Sequence, residues 1–241
     1  MKLPGFGDLL IDGARHALEV QPGMERAVNI DQFIDYLFDR DADGIEWYFR
    51  EDHNDPEIEA SRLLELSSEV FTSIEKLSTE FEEKQICMGL RYLVNPSCGP
   101  IPYFYADTSV EFTVRVHAIS SMESLFRALF AKIPDEGGLY INMPGLRLSY
   151  KETCYMWWDM FPRHGSPRRA DLDRTDDVIL QTIVSILQLP SQACRESALH
   201  GLGHWSLSRS EDVEKAIRAF LAHATPDLKA YAVDAMRGRV Q

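Results

Sequence analysis

Positive charge is in short supply in this chain: 25 lysines and arginines stand against 38 aspartates and glutamates, for a formal net charge of −13. That balance argues against a nucleic-acid backbone or an anionic membrane surface as the main ligand and favours a basic partner. Cysteine is also sparse. Cys87, Cys98, Cys154 and Cys194 are far apart with no C-x-x-C pair, which speaks against a zinc ribbon or a secreted disulfide framework and for a reducing compartment. Long apolar runs are missing: Asp8, Asp12 and Arg15 break up the stretch that a signal peptide would need, and nothing later approaches a membrane span. The expectation is a cytoplasmic protein with no membrane contact. There is also no G-x-S-x-G elbow, Walker loop, dinucleotide glycine fingerprint or kinase signature set, so the chain is expected to be non-enzymatic and free of cofactors.

What the chain does have is enough apolar residue to fill a core, 45% of 241, and a repeat. Sliding the sequence by 34 residues superposes apolar or small positions: Ile179 on Val213, Ile183 on Ile217, Ile186 on Phe220, then Cys194 on Leu228, Ala198 on Ala232 and Leu202 on Met236. Spacings of three and four within each unit keep one stripe of a helix facing a neighbour, so each unit is predicted to be a helix hairpin. Leu189-Pro190-Ser191 divides the first hairpin, and Thr225-Pro226-Asp227 opens the last helix. Small residues at Ala198, Gly201 and Gly203 are expected to let helices approach closely.

Upstream, Asp55-Pro56-Glu57 predicts a helix start followed by a stripe through Leu63, Leu66, Val70, Ile74 and Leu77. Thr79 with Glu82 predicts a capping box for a second helix that stops before Asn95-Pro96. Residues 110–118 alternate like a strand, yet Val114, Ala118, Met122, Leu125 and Leu129 run at helical spacing, and helix is the choice made here. Residues 134–170 are rich in glycine and proline and are predicted to be loops around a short helix near Cys154–Met160, with Tyr150, Tyr155, Trp157, Trp158 and Phe161 as core. The predicted organisation is all-α: an acidic segment over 1–54 packed on the first hairpin, then a helical domain over 55–241 with the loop-rich stretch inside it.

Glu196-Ser-Ala-Leu-His-Gly-Leu-Gly-His-Trp205, Cys154-Tyr-Met-Trp-Trp-Asp159, Asn95-Pro96 after a helix and the closing Tyr231-Ala232, Ala235 and Gly238 together resemble bacterial HEAT-like helical-repeat proteins. The resemblance covers about residues 57–241 and implies an α-solenoid of stacked hairpins. Some proteins of that kind look like immunity proteins that neutralise secreted nuclease toxins, type VI secretion effectors among them. It thus implies an antitoxin whose partner is a cognate nuclease. Helical repeats also serve as scaffolds, and that alternative stays open.

Four constellations invite a chemical reading. Asp39-Arg-Asp-Ala-Asp-Gly44 opens like a calcium-binding EF-hand loop, but the twelfth place holds Arg50 where a bidentate acid is needed, so an acidic turn is expected. Glu196, His200 and His204, at i, i+4 and i+8, are the candidate metal ligands of an alternative metal-dependent hydrolase; Gly201 stands where H-E-x-x-H enzymes carry their general base. Cys194 lies on an apolar stripe and reads as a buried thiol. Residues 31–59 hold eleven acids against Arg40 and Arg50, a charge of −9, interleaved with Phe33, Tyr36, Phe38, Trp47, Tyr48 and Phe49. From this stretch Asp35, Asp39, Asp41, Asp43, Glu46, Trp47, Tyr48 and Glu51 are expected to bind a basic protein, with aromatic anchors and steering carboxylates. An ordinary helix pair with its aromatics inward fits the same pattern equally well.

Overall fold

Every regular element among the described residues is helical, in the computed structural model of the chain. The structure describes residues 28–240 apart from 137, 144 and 146; the stretch interrupted by Asp8, Asp12 and Arg15 lies outside them. Ten α-helices follow in order: α1 (Ile30–Phe38), α2 (Ala60–Glu80), α3 (Glu83–Val94), α4 (Ile101–Phe104), α5 (Phe112–Ala128), α6 (Tyr150–Met160), α7 (Asp173–Leu187), α8 (Gln192–Trp205), α9 (Ser210–Leu221) and α10 (Pro226–Met236). None is long and apolar enough to cross a membrane. The region 110–118, readable as strand, enters α5, which buries Ala118, Met122 and Leu125 at helical spacing.

Seven of the helices pack in two rows. In one, α2 lies against α5 and α5 against α7; in the other, α3 lies against α6, α6 against α8 and α8 against α10. A single buried cluster runs from Phe33 to Val240 between them. The 34-residue spacing holds at two helix ends, since α8 and α10 begin 34 residues apart and α7 and α9 end 34 residues apart, whereas α7 and α9 begin 37 apart and α8 and α10 end 31 apart. Close approach at the predicted small residues is real: a Cβ added to Gly201 would lie 2.7 Å from Trp158 Cγ on α6, and one on Gly203 would lie 2.4 Å from Val240 Cγ1. Both glycines trade helix propensity for contact between neighbouring layers.

Two helix starts differ from the sequence expectation. α2 begins at Ala60 rather than at Asp55-Pro56-Glu57, because the Asp55 carboxylate is taken by the Tyr92 hydroxyl at 2.7 Å and lies 3.1 Å from His53. Thr79 does not cap α3. α2 runs on to Glu80 with Leu77 buried, and the Thr79 hydroxyl donates to the Lys76 carbonyl in that last turn. Glu82 takes the cap instead, its own amide donating to Gln85 Oε1 at 2.9 Å in a reciprocal box. Ser191, by contrast, caps α8 as its position before the helix suggests, accepting from the Cys194 amide.

The loop-rich stretch is tied down rather than loose. Its helix, α6, buries Tyr155, Trp157 and Trp158, and Phe161 follows at its end, so the aromatic knot is core. Beyond α6, Arg163 reaches α7 and makes a two-pronged ion pair with Asp176. α1 carries the start of the acidic segment and rests on α2 and α3, with Phe33, Leu37 and Phe38 buried beneath it. Asn29 and Gln32 close its N-terminus in another capping box.

Candidate functional site

The acidic segment separates cleanly into an inner and an outer set. Asp31, Asp35, Asp39, Asp41, Asp43, Glu51, Asp52, Asp55, Glu57 and Glu59 are exposed and Glu46 is half-buried. Trp47 and Tyr48, expected as partner anchors, are only 3% and 6% exposed. Their rings are spent on an aromatic nest: Trp47 packs 5.3 Å from Tyr36 and 4.8 Å from Tyr92, and Arg40 lies 4.9 Å over the Trp47 ring. Tyr36 donates to the Tyr92 oxygen at 3.1 Å, which fastens α1 to α3. The exposed apolar groups are instead Ile45, at 65%, and Phe49, at 53%. Ile45 carried no functional weight in the sequence.

The acidic turn does not gather its carboxylates about an ion. The Asp43 amide donates to Asp41 Oδ1 at 2.9 Å, and Gly44 turns the chain with φ 86°. Arg50 folds back into the turn, its Nη2 3.5 Å from Asp41 Oδ2 and its Nε donating to the Ile45 carbonyl. The position where calcium needs its strongest ligand therefore supplies a cation.

Convergence occurs elsewhere, at α6 and α8. Asp159, His200 and His204 bring one ligand atom each to within 4.8 Å of one another. His204 Nε2 lies 3.2 Å from Asp159 Oδ1 and 3.1 Å from His200 Nε2, and His200 Nε2 lies 3.9 Å from the same Asp159 oxygen. Glu196 is absent from this group, which corrects the set read from spacing. Residues i and i+8 share a face, yet at 1.5 Å per residue they are about 12 Å apart along the axis, too far for one ion. The buried Glu196 carboxylate turns instead to the chain beyond α5, accepting from the Tyr140 amide at 2.8 Å and the Ile141 amide at 3.0 Å.

No family model, curated protein or solved structure matches this chain.

The meaning of the cluster therefore rests on its own geometry. His200 and His204 together hold the Asp159 carboxyl far below the usual carboxylate range, while burial pushes the His200 and His164 imidazoles down. His200 Nδ1 is 2.8 Å from the Tyr231 hydroxyl, which sits 3.2 Å from the Tyr155 hydroxyl. The His164 ring stacks at 4.7 Å on His204, and its Nε2 donates to the Trp158 carbonyl at 2.6 Å. Asp159 and His164 form part of the wall of a cavity of about 490 Å³ that Arg91, Asn95, Glu152 and Thr153 also line. Asp159 had appeared in the sequence only inside a family-like motif; no spacing rule connects it to residues on another helix.

Cys194 is fully buried, with its thiol toward the Phe126 carbonyl, and Cys154 points likewise at the Ala193 carbonyl, so both are packing groups. Glu196 is the cluster's neighbour with a measurable structural task. Glu196→Ala is expected to lower stability by about 1–3 kcal/mol, because it strips two partly buried amides of a charged acceptor. Urea unfolding followed by tryptophan fluorescence reads this directly, and a change under about 0.5 kcal/mol would mean that the Tyr140–Asn142 turn finds other acceptors.

Proposed function

We propose that the chain is a non-enzymatic binding protein of the HEAT-like solenoid type that captures a basic protein, and that it serves as an immunity protein whose partner is a nuclease toxin, type VI effectors included. Support for the solenoid comes from the two helix rows and from the 34-residue register shared by α7–α8 and α9–α10. The observation that carries the binding reading is the outer face of residues 31–59. Exposed carboxylates, of which Asp41 and Asp43 face Arg50 and Lys84, share this stretch with two apolar side chains, Ile45 and Phe49, that the fold leaves in solvent.

Such a surface suits a cationic partner for two separate reasons. The carboxylates raise the encounter rate with a basic cleft and stand where phosphates of a nucleic-acid substrate would stand, whereas Ile45 and Phe49 supply the dry contact that slows dissociation. Asp35, Asp39, Asp41, Asp43, Glu46 and Glu51 belong to the first function. Trp47 and Tyr48 act from inside, by fixing the backbone on either side of these groups.

A tagged chain drawn through extracts of its native host, with bound proteins identified by mass spectrometry, supplies the partner; purified partner then gives rates. Phe49→Ala is expected to weaken binding roughly 10- to 100-fold through faster dissociation. Asp39→Lys, Asp41→Lys and Asp43→Lys together are expected to slow association and flatten its salt dependence. Unchanged affinity in both variants would place the contact elsewhere. If the partner lacks nuclease activity, or the chain fails to protect cells that express it, the immunity role fails while the surface assignment stands.

A further inference from the structure

The Asp159, His200 and His204 triangle has the dimensions of a metal coordination sphere. Its three edges, measured between the same three atoms, are 3.1, 3.2 and 3.9 Å. Atoms so separated lie on a circle of radius about 2.0 Å, so one point in their midst is at zinc–nitrogen and zinc–oxygen bonding distance from all three. Two imidazoles and a carboxylate from adjacent helices form the donor set of borderline divalent transition metals, and too few hard oxygens are present for calcium or magnesium.

The surroundings fit such a site. Tyr231 stands 2.8 Å from His200 Nδ1, the place of an outer partner that fixes a ligating imidazole with its Nε2 lone pair toward the ion. Tyr155 adjoins Tyr231 and extends that support to α6, which also carries Asp159. The Asp159 side is exposed and borders the cavity, leaving further coordination positions for water or a ligand. Arg91, which lines the same cavity, has a buried Nε with no hydrogen-bond partner among the described residues.

We infer that Asp159, His200 and His204 bind one divalent transition-metal ion of the zinc class, open on its exposed side to an exchangeable ligand. This site lies on α6 and α8, separate from the acidic face on α1 and the chain that follows it, so the two assignments stand or fall independently.

The test is titration of the chelator-treated full chain with zinc alone by calorimetry, with cobalt absorption as a second reading of coordination. One zinc per chain is expected. Asp159→Ala and His204→Ala are each expected to weaken binding more than about 100-fold, Tyr231→Phe about 10-fold, and Glu196→Gln not measurably. Circular dichroism on each variant without metal separates lost binding from lost fold, and a variant that unfolds is replaced by Asp159→Asn or His204→Gln, each expected to weaken zinc binding by a similar order. No zinc bound by the wild-type chain would overturn the proposal: the triangle would then be a hydrogen-bonded packing contact. Equal zinc affinity in the wild type and both ligand variants would overturn it as well, by placing the ion elsewhere.

Discussion

Asp176→Ala is expected to lower the free energy of unfolding by about 3–5 kcal/mol, since it leaves the Arg163 guanidinium buried without its counter-charge. The pair is nearly closed to solvent, at 5% and 3% exposure, and two-pronged: Arg163 Nε and Nη2 each reach a different Asp176 oxygen at 2.7 Å. A third donor, Nη1, holds the Pro167 carbonyl at 2.9 Å, so the guanidinium binds the chain after α6 to α7. Removal of the other partner should cost less. Asp176 sits in the first turn of α7, where the helix dipole still favours a carboxylate by about 0.3–1 kcal/mol, so Arg163→Ala is expected near the lower end of the range. Replacing both together by Arg163→Met and Asp176→Leu removes the charges and is expected to restore most of the loss, because well-packed apolar groups are often the equal of a buried pair. A urea series over the two singles and the double separates these contributions as a coupling energy. Single losses below about 1 kcal/mol would mean that water reaches the pair and that the loop is held by other contacts.

The same distinction, between what is local and what is assembled, decides how much the sequence could reveal. Helix identity and the 34-residue register were legible because a helix that stacks on neighbours must repeat its apolar positions every three or four residues. The opening of α10 at Thr225-Pro226-Asp227 was legible because a proline in the first turn of a helix is a local signal. The start of α2 was not, because Asp55 answers to Tyr92 from a different helix and the local helix-start signal loses to that contact. Trp47 and Tyr48 show the limit of composition: three consecutive aromatics, Trp47-Tyr48-Phe49, stand between Glu46 and Glu51 without a period, so nothing local says which of them faces inward. In the structure the decision falls to Tyr36 and Tyr92, whose rings close the nest.

The metal-like cluster failed in sequence for a sharper reason. His200 and His204, read from spacing, do lie in the cluster, whereas Glu196 was read onto the same helix, where a common face hid an axial separation of about 12 Å. Asp159 comes from α6, and only the packing of α6 on α8 brings it to His200 and His204. Gly201 makes that packing possible, since any Cβ there would collide with Trp158 of α6. A glycine read in the sequence for tight stacking is thus also a condition for the cluster, directly after His200 and about one turn before His204 along α8.

Trp157→Ala is expected to be the most destabilising single apolar change on α6, at about 3–5 kcal/mol. The indole is wholly buried, and its ring centre lies 5.8 Å from Phe71 of α2, 5.9 Å from Phe126 of α5 and 6.1 Å from Phe130 just after it. Deleting it opens a cavity at the meeting point of both helix rows, where partial collapse on one side must pull contacts from the other. Trp157→Phe keeps an aromatic in the same space and also removes a buried indole N–H that has no hydrogen-bond partner among the described residues. Its cost is therefore expected to be no more than about half that of the alanine change, the lost area being offset by the relieved polar group. Thermal unfolding of the two variants decides the matter. If phenylalanine proved as damaging as alanine, the indole edge rather than the ring stack would be what joins the rows, and its N–H would have a partner that the packing does not reveal.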